Sequence, residues 1–232
     1  MIKVKEEFST HSKEYGNHNI IQQIIAKALV REMNSTPRRI LELGCGSGQI
    51  YNNINFPVEY YKAVDFSQAM CDLHPKCDNI DICCFDFDSD EFFESLRNDR
   101  YDMVLSSSAM QWSKDLSKLV SFLLSISKEI NATLFTSNTF RSIFEITKQK
   151  SPILTKEDII SAFEKNAKCK FEIYEYKLEF ENKKQLFDYI KKSGVRGGLA
   201  PLSFKESKKL YLEYPYNYLE FEVIFVKTIS KS

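Results

Sequence analysis

Apolar and polar positions alternate along this chain with two different periods. Short apolar runs, rich in β-branched and aromatic residues, predict strands at 38–44, 60–66, 79–87, 101–108 and 131–138. Helical stretches lie between them at 67–74, 90–98 and 115–130. In the last of these, Leu116, Leu119, Val120, Leu123 and Leu124 recur at the three-to-four spacing of one buried helix face. Strands separated by helices imply parallel pairing through right-handed crossovers, an open doubly wound α/β sheet. Beyond residue 140 the pattern changes. Helical segments at 141–149, 155–166 and 183–194 surround an alternating run at 169–181. There Phe171, Ile173, Tyr174 and Leu178 fall near strand positions, which suits an edge strand capable of antiparallel pairing. A further strand is expected at 219–228. The reading is one domain over 1–232: an N-terminal lid or helix (1–36), a ligand-binding core (37–140), and a substrate-side, partly helical cap with the last strands (141–232).

Composition narrows the class. With 232 residues, 43% of them hydrophobic and 13% aromatic, the chain can bury a sizeable core and is not a disordered protein. No apolar run approaches the ~20 residues of a membrane span. The opening MIKVKEEFSTHSKEY has no apolar stretch of the signal-peptide kind, so a cytoplasmic protein is expected. Six cysteines without a C-x-x-C pair, and three scattered histidines, argue for reduced thiols and against a metal site. The net charge is zero, but its distribution is uneven. Residues 1–100 carry 11 basic and 16 acidic side chains, whereas the remainder carry 21 and 16. That polarity suits a C-terminal half that meets an anionic partner. Nucleic acid is a poor candidate, because no compact Arg/aromatic stripe is present.

Glycine is the scarcest informative residue. Of seven in the chain, Gly44, Gly46 and Gly48 fall within five residues, directly after the first strand. Such crowding costs backbone entropy and suggests close approach of a ligand at the carboxyl edge of a parallel sheet. The G-x-G-x-G pattern, with Glu42 two residues before it, is neither the G-x-G-x-x-G dinucleotide fingerprint nor a lysine-bearing phosphate loop. Asp65 ends the second strand, where an acid can accept both ribose hydroxyls of a nucleoside. Asp86, at the end of the third, can accept from an adenine amino group, with Phe87 packed nearby. Glu42 would repel a pyrophosphate but suits a ligand with a positive amino group. Cys45, Phe66 and Ser106 complete the expected lining.

The series LELGCGSG, AVDFSQAM, FDFD and YDMVLSSSAMQW, spread over residues 38–136, resembles the motifs of the class I S-adenosylmethionine-dependent methyltransferases. The resemblance implies a Rossmann-like fold with a mostly parallel seven-stranded sheet and helices on both faces. It implies S-adenosylmethionine as cofactor and S-adenosylhomocysteine as product. The glycine loop would pass under the methionine part, Asp65 would bind the ribose, and Asp86 the adenine. A narrower likeness lies nearer the ends. Phe8, Ser9 and Tyr15, the A-M-Q-W after the fourth strand, IKKSGVRGG, PLSF and FEVIF resemble BioC-type malonyl-acyl-carrier-protein O-methyltransferases of biotin synthesis. That likeness implies methyl esterification of the free carboxyl of a malonyl group on an acidic carrier protein, with malonyl-coenzyme A as an alternative carrier. A small-molecule carboxyl methyltransferase of the trans-aconitate kind is the rival enzyme. A cofactor-binding relative without turnover is the non-enzyme rival.

The residues bear on the chemistry. A carboxylate of pKa about 4 is already ionised at pH 7, so esterification needs no general base, and no persuasive His–acid pair is seen. Arg196, in S-G-V-R-G-G, is the candidate catalytic clamp on the distal carboxylate, through the bidentate pairing that guanidinium favours. Arg141 is the reserve substrate ligand. Tyr15, as a catalytic residue, and His18 lie in the N-terminal segment expected to fold over the cofactor. Gln111 and Trp112 follow the fourth strand, where substrates meet this kind of sheet. Lys183, Lys184, Lys191, Lys192, Lys205, Lys208 and Lys209 are candidates for steering an acidic carrier protein. The protein is expected to be a monomer without membrane or nucleic-acid partners.

Overall fold

The buried apolar positions fall on two sides of one sheet. This computed structural model describes residues 19–192 and 203–229. Its strands are β1 (Arg39–Leu43), β2 (Tyr60–Asp65), β3 (Ile80–Cys84), β4 (Tyr101–Ser107), β5 (Ser127–Phe135), β6 (Cys169–Glu179) and β7 (Tyr218–Thr228). They form a seven-stranded sheet in the order β3-β2-β1-β4-β5-β7-β6. β1 to β5 are mutually parallel, and β7 runs antiparallel to both β5 and β6. The chain order reverses between β1 and β4, and in open α/β sheets a ligand crevice opens beyond the strand ends at such a switch point. The expected edge strand at 169–181 is β6, on the sheet's rim.

Strand alternation decides which side each residue serves. Leu41, Leu43, Val64 and Val104 point to a face covered by α3 (Asp90–Leu96), α4 (Leu116–Ile126) and α6 (Lys156–Glu164). Ile40, Tyr61, Ala63, Met103 and Leu105 point to the other, under α1 (Ile20–Arg31). A third cluster joins Ile21 and Ile25 of α1 to α5 (Arg141–Thr147), α7 (Lys183–Lys192), α8 (Phe204–Glu213) and the ends of β6 and β7. The remaining helix, α2 (Gln68–Leu73), follows β2 directly. No helix among the described residues is long and apolar enough to cross a membrane.

Two expectations change. The helix foreseen over 115–130 ends at Ile126, and β5 begins at Ser127. Residues 127–130 pair with Tyr101, Met103 and Val104 of β4, and the Ile130 N–H donates to the Thr228 hydroxyl at 2.8 Å. Sheet pairing thus overrides the helical preference of S-K-E-I. The segment after residue 140 is also not all cap. Ile159, Ala162 and Phe163 of α6 belong to the main core, so only α5, α7 and α8 gather at the cap end.

Leu123 is fully buried on α4 within the main core. Leu123→Ala should cost about 2–5 kcal/mol in urea unfolding, through lost burial and an unfilled cavity. A loss below ~1 kcal/mol would show that α4 is not packed as described.

Candidate functional site

The turn after β1 has a left-handed backbone at each glycine, with φ of 67° at Gly44, 52° at Gly46 and 86° at Gly48. These conformations favour glycine at all three positions, yet the positions differ in what surrounds them. A Cβ on Gly44 would lie 2.1 Å from the Ala109 Cβ, and one on Gly48 2.5 Å from Pro75 Cδ. Those two glycines make room for the protein's own chain. A Cβ on Gly46 would meet nothing within 4 Å among the described residues. Packing of the protein's own chain therefore accounts for Gly44 and Gly48, a correction to the single reason assigned above to the whole triplet, and leaves Gly46 open for a ligand to approach.

The loop is fastened to the end of β2. The Gly44 and Cys45 N–H groups both donate to the Val64 carbonyl, at 2.7 and 3.0 Å. The Asp65 carboxylate accepts the Gly46 N–H through Oδ2 and the Ser67 N–H through Oδ1, each at 2.9 Å. Phe66, next to it, leaves 76% of its surface open. A cleft of about 180 Å³ opens between this loop, the start of α1 and the end of β4. Asn19, Gln22, Glu42, Gly46, Met70 and Ser108 are among its walls. Gln22 Oε1 and Ser108 Oγ are buried there without a hydrogen-bond partner among the described residues. An open glycine and unpaired polar atoms in this cleft, with Asp65 and the exposed Phe66 at the neighbouring strand end, suit a ligand with sugar, base and amino-acid parts. The residues therefore fit S-adenosylmethionine.

The other expected site residues take varied positions. Glu42 is 1% exposed and accepts the Tyr61 hydroxyl at 2.5 Å. Burial raises its pKa above the usual carboxylate value, against the lowering effect of His74 and Tyr61. The Cys45 thiol is buried in the loop and pushed well up by burial, so it is an inert packing group. Ser106 is fully buried, and its hydroxyl donates to the Leu43 carbonyl at 3.0 Å. It ties β4 to β1 instead of presenting its side chain to a ligand, a correction to its expected role. β3 ends at Cys84, so Asp86 lies in the following turn, exposed, with Oδ1 accepting the Asp88 N–H. Phe87 is partly buried against the main core. Gln111 is 3% exposed, and its amide donates to the Ser108 carbonyl at 2.7 Å. That bond braces the loop and leaves Trp112, 40% exposed, as the open member of the pair. Arg141 is exposed at the start of α5, after left-handed Phe140. Tyr15, His18 and Arg196 lie outside the described residues.

Four contributors were not foreseen. Asp88 accepts the Ser113 hydroxyl at 2.8 Å and the Lys114 N–H at 2.9 Å, joining the turns after β3 and β4. Its place in F-D-F-D, two residues after Asp86, was the available signal. Gln22 interrupts the apolar face of α1. Tyr61 and His74 seal Glu42 from behind, and only the three-dimensional pairing of β1 with β2 reveals it.

Comparison with known proteins agrees with this geometry. Residues 41–128 match the methyltransferase-domain family. The chain is 24% identical to the malonyl-[acyl-carrier protein] O-methyltransferase of Acinetobacter baylyi, over 94% of this chain and 88% of that protein. To the enzyme of the same name in Bacillus anthracis it is 24% identical, over 69% of this chain. It spans 64% of that relative's length, just under two thirds. Among solved structures, YcgJ of Bacillus subtilis superposes with a TM-score of 0.64 at 11% identity, covering 91% of this chain and 99% of that one. The plantazolicin methyltransferase BpumL, solved with SAH, gives a TM-score of 0.52 at 15% identity, covering 98% and 90%. At such identities these two structures speak for the fold.

The two kinds of glycine separate in a variant pair. Gly44→Ala should lower the melting temperature by several degrees, since its Cβ collides with Ala109. Gly46→Ala should pay only the local backbone strain and chiefly weaken S-adenosylhomocysteine binding in calorimetry. Equal destabilisation with equal affinity in both variants would contradict the distinction.

Proposed function

We propose a substrate for what is, by fold and by family match, a class I S-adenosylmethionine-dependent methyltransferase: the free carboxyl of a malonyl group carried on acyl carrier protein, esterified on the way to biotin. The observation that carries this reading is the likeness to malonyl-[acyl-carrier protein] O-methyltransferases along nearly the whole chain, joined to a carboxyl-edge cleft of the right chemistry.

S-adenosylmethionine, when bound, supplies an electrophilic methyl group on a sulfonium. The protein's part is to hold that group in line with an acceptor oxygen and to exclude water. Asp65, held by two backbone N–H groups, keeps lone pairs for ribose hydroxyls. Phe66 offers a face to the base, and Asp86 an acceptor for its amino group. Glu42 and Gln22 line the part of the cleft suited to an ammonium group. The acceptor is a carboxylate, already ionised, so no base need take a proton. Trp112 is the wall of the acyl site, and Arg141 with Arg196 the cationic partners of the carboxylate. Esterification removes the charge these arginines bind, which favours release of the product. Tyr15 and His18 contribute from the N-terminal segment.

A carrier protein also needs a docking face. On α8, Lys205 and Lys208 are exposed beside Phe204, 87% exposed, and Leu212, 66% exposed. Basic side chains around apolar ones suit an acidic partner. Lys183 is differently engaged: its Nζ donates to the Tyr211 carbonyl at 3.2 Å, tying α7 to α8.

The decisive assay follows labelled methyl transfer to malonyl-acyl-carrier protein, malonyl-coenzyme A and trans-aconitate in parallel. Preferred labelling of the carrier-bound malonyl group is expected. Labelling of trans-aconitate alone would move the function to small-acid methylation. Asp65→Ala should weaken S-adenosylhomocysteine binding at least about tenfold, the scale of lost charge-assisted hydrogen bonds. Wild-type affinity in that variant would remove Asp65 from the ribose site.

A further inference from the structure

Behind the glycine loop lies a buried acid–base pair that methyl transfer does not require. His74 caps the C-terminal end of α2 and is 2% exposed. Its ring Nδ1 lies 2.9 Å from the Pro75 carbonyl oxygen. A carbonyl only accepts, so Nδ1 carries a proton. The other nitrogen, Nε2, is buried without a hydrogen-bond partner among the described residues and faces Glu42 Oε2 at 3.8 Å. A neutral His74 with an ionised Glu42 would therefore set a bare lone pair against a carboxylate, both out of water. One proton between them relieves this, either on Nε2 or on the carboxyl.

The surroundings leave few competitors for that proton. From β2, the Tyr61 hydroxyl donates to the same Glu42 oxygen, and burial holds this phenol well above its ordinary pKa. From the turn after the loop, the Tyr51 ring lies 5.7 Å from the His74 ring, and its hydroxyl is directed to Cys77. The loop's own Cys45 stays a thiol. Asp65 is the other carboxylate whose charge acts on Glu42, and it too discourages ionisation there. Burial opposes a charged imidazole, but the facing Glu42 and the Pro75 carbonyl outweigh it, and His74 lies above its ordinary value. The pair also touches the loop directly: a Cβ on Gly48 would come within 3.3 Å of the His74 ring. Glu42 itself lines the cleft.

We propose that Glu42 and His74 hold one proton between them under the glycine loop, and that a ligand bearing an ammonium group in this cleft binds with release of that proton to solvent. His74 is thus a positioning residue that sets the charge Glu42 presents to the methionine part of the cofactor. The inference rests on the cofactor assignment above. With its proton the pair is neutral and attracts an ammonium weakly. Without it the pair carries one negative charge. Affinity therefore rises with pH through the titration of the pair and levels off above it.

The test is calorimetry of S-adenosylhomocysteine with the full chain between about pH 6 and 8.5, a span that extends upward from the ordinary imidazole value, the direction in which His74 is shifted. Each pH is measured in buffers of different ionisation enthalpy, which counts the protons released. Wild type should release up to about one proton at the low end, with affinity rising by up to about tenfold per pH unit. 5′-Methylthioadenosine, which lacks the ammonium, should bind without proton release. This comparison uses only the native protein and does not depend on a variant that folds. His74→Gln leaves the proton to the Glu42 carboxyl alone, so proton release and the rise in affinity should move to a different pH from wild type. Proton release that is the same for both ligands, or unchanged in His74→Gln, overturns the proposal. So does pH-independent binding by wild type, which leaves the cofactor assignment standing. Failure of wild type to bind at any pH overturns that assignment, and this inference with it.

Discussion

Asp65 holds two loops with one side chain. Its carboxylate takes the Gly46 N–H on one oxygen and the Ser67 N–H on the other, and only 8% of the residue is exposed. The turn after β1 and the turn after β2 are thereby fixed to each other. Two further N–H groups of the glycine loop close onto Val64, the residue before it. Hydrogen bonds to a carboxylate are stronger than those between neutral groups, and these are shielded from water. Ligand binding at this edge need not order a loose glycine segment, which removes an entropic cost of binding.

The same edge is braced on its other side. Asp88 joins the turn after β3 to the segment after Trp112. β7, the one reversed strand among the described residues, carries its acids back to the carboxyl end of β5. There buried Glu222 accepts the Thr136 hydroxyl at 2.5 Å and the Asn138 amide at 3.0 Å, and Glu220 accepts the Ser142 N–H at 2.5 Å. With Asp65, four carboxylates thus order the loops at this edge from three strands or turns. Carboxyl side chains that accept several hydrogen bonds make rigid supports for a functional edge.

Much of the fold was legible because a parallel sheet writes itself as apolar runs between amphipathic helices. Strand β2 and the edge strand β6 sit where alternation placed them. The boundary between α4 and β5 was not legible, because S-K-E-I carries no turn residue and its conformation is decided by β4 and Thr228. In the site, glycine spacing located the loop but not its reasons: Ala109 and Pro75, far along the chain, impose two of the three glycines. Ser106 has the composition of a ligand residue and the surroundings of a structural one. Tyr61 and His74 were invisible for a related cause. Their meaning depends on meeting Glu42 across strands, and nothing in their local sequence records it.

The central claim is that this preformed edge receives the methyl donor. A crystal structure of the full chain with S-adenosylhomocysteine tests it most directly. The account predicts ribose hydroxyls on the Asp65 carboxylate, the methionine part against Gly46, and the Asp65–Gly46 hydrogen bond intact. A ligand bound away from this cleft, or an Asp65 side chain swung free of Gly46 to admit it, would contradict the account.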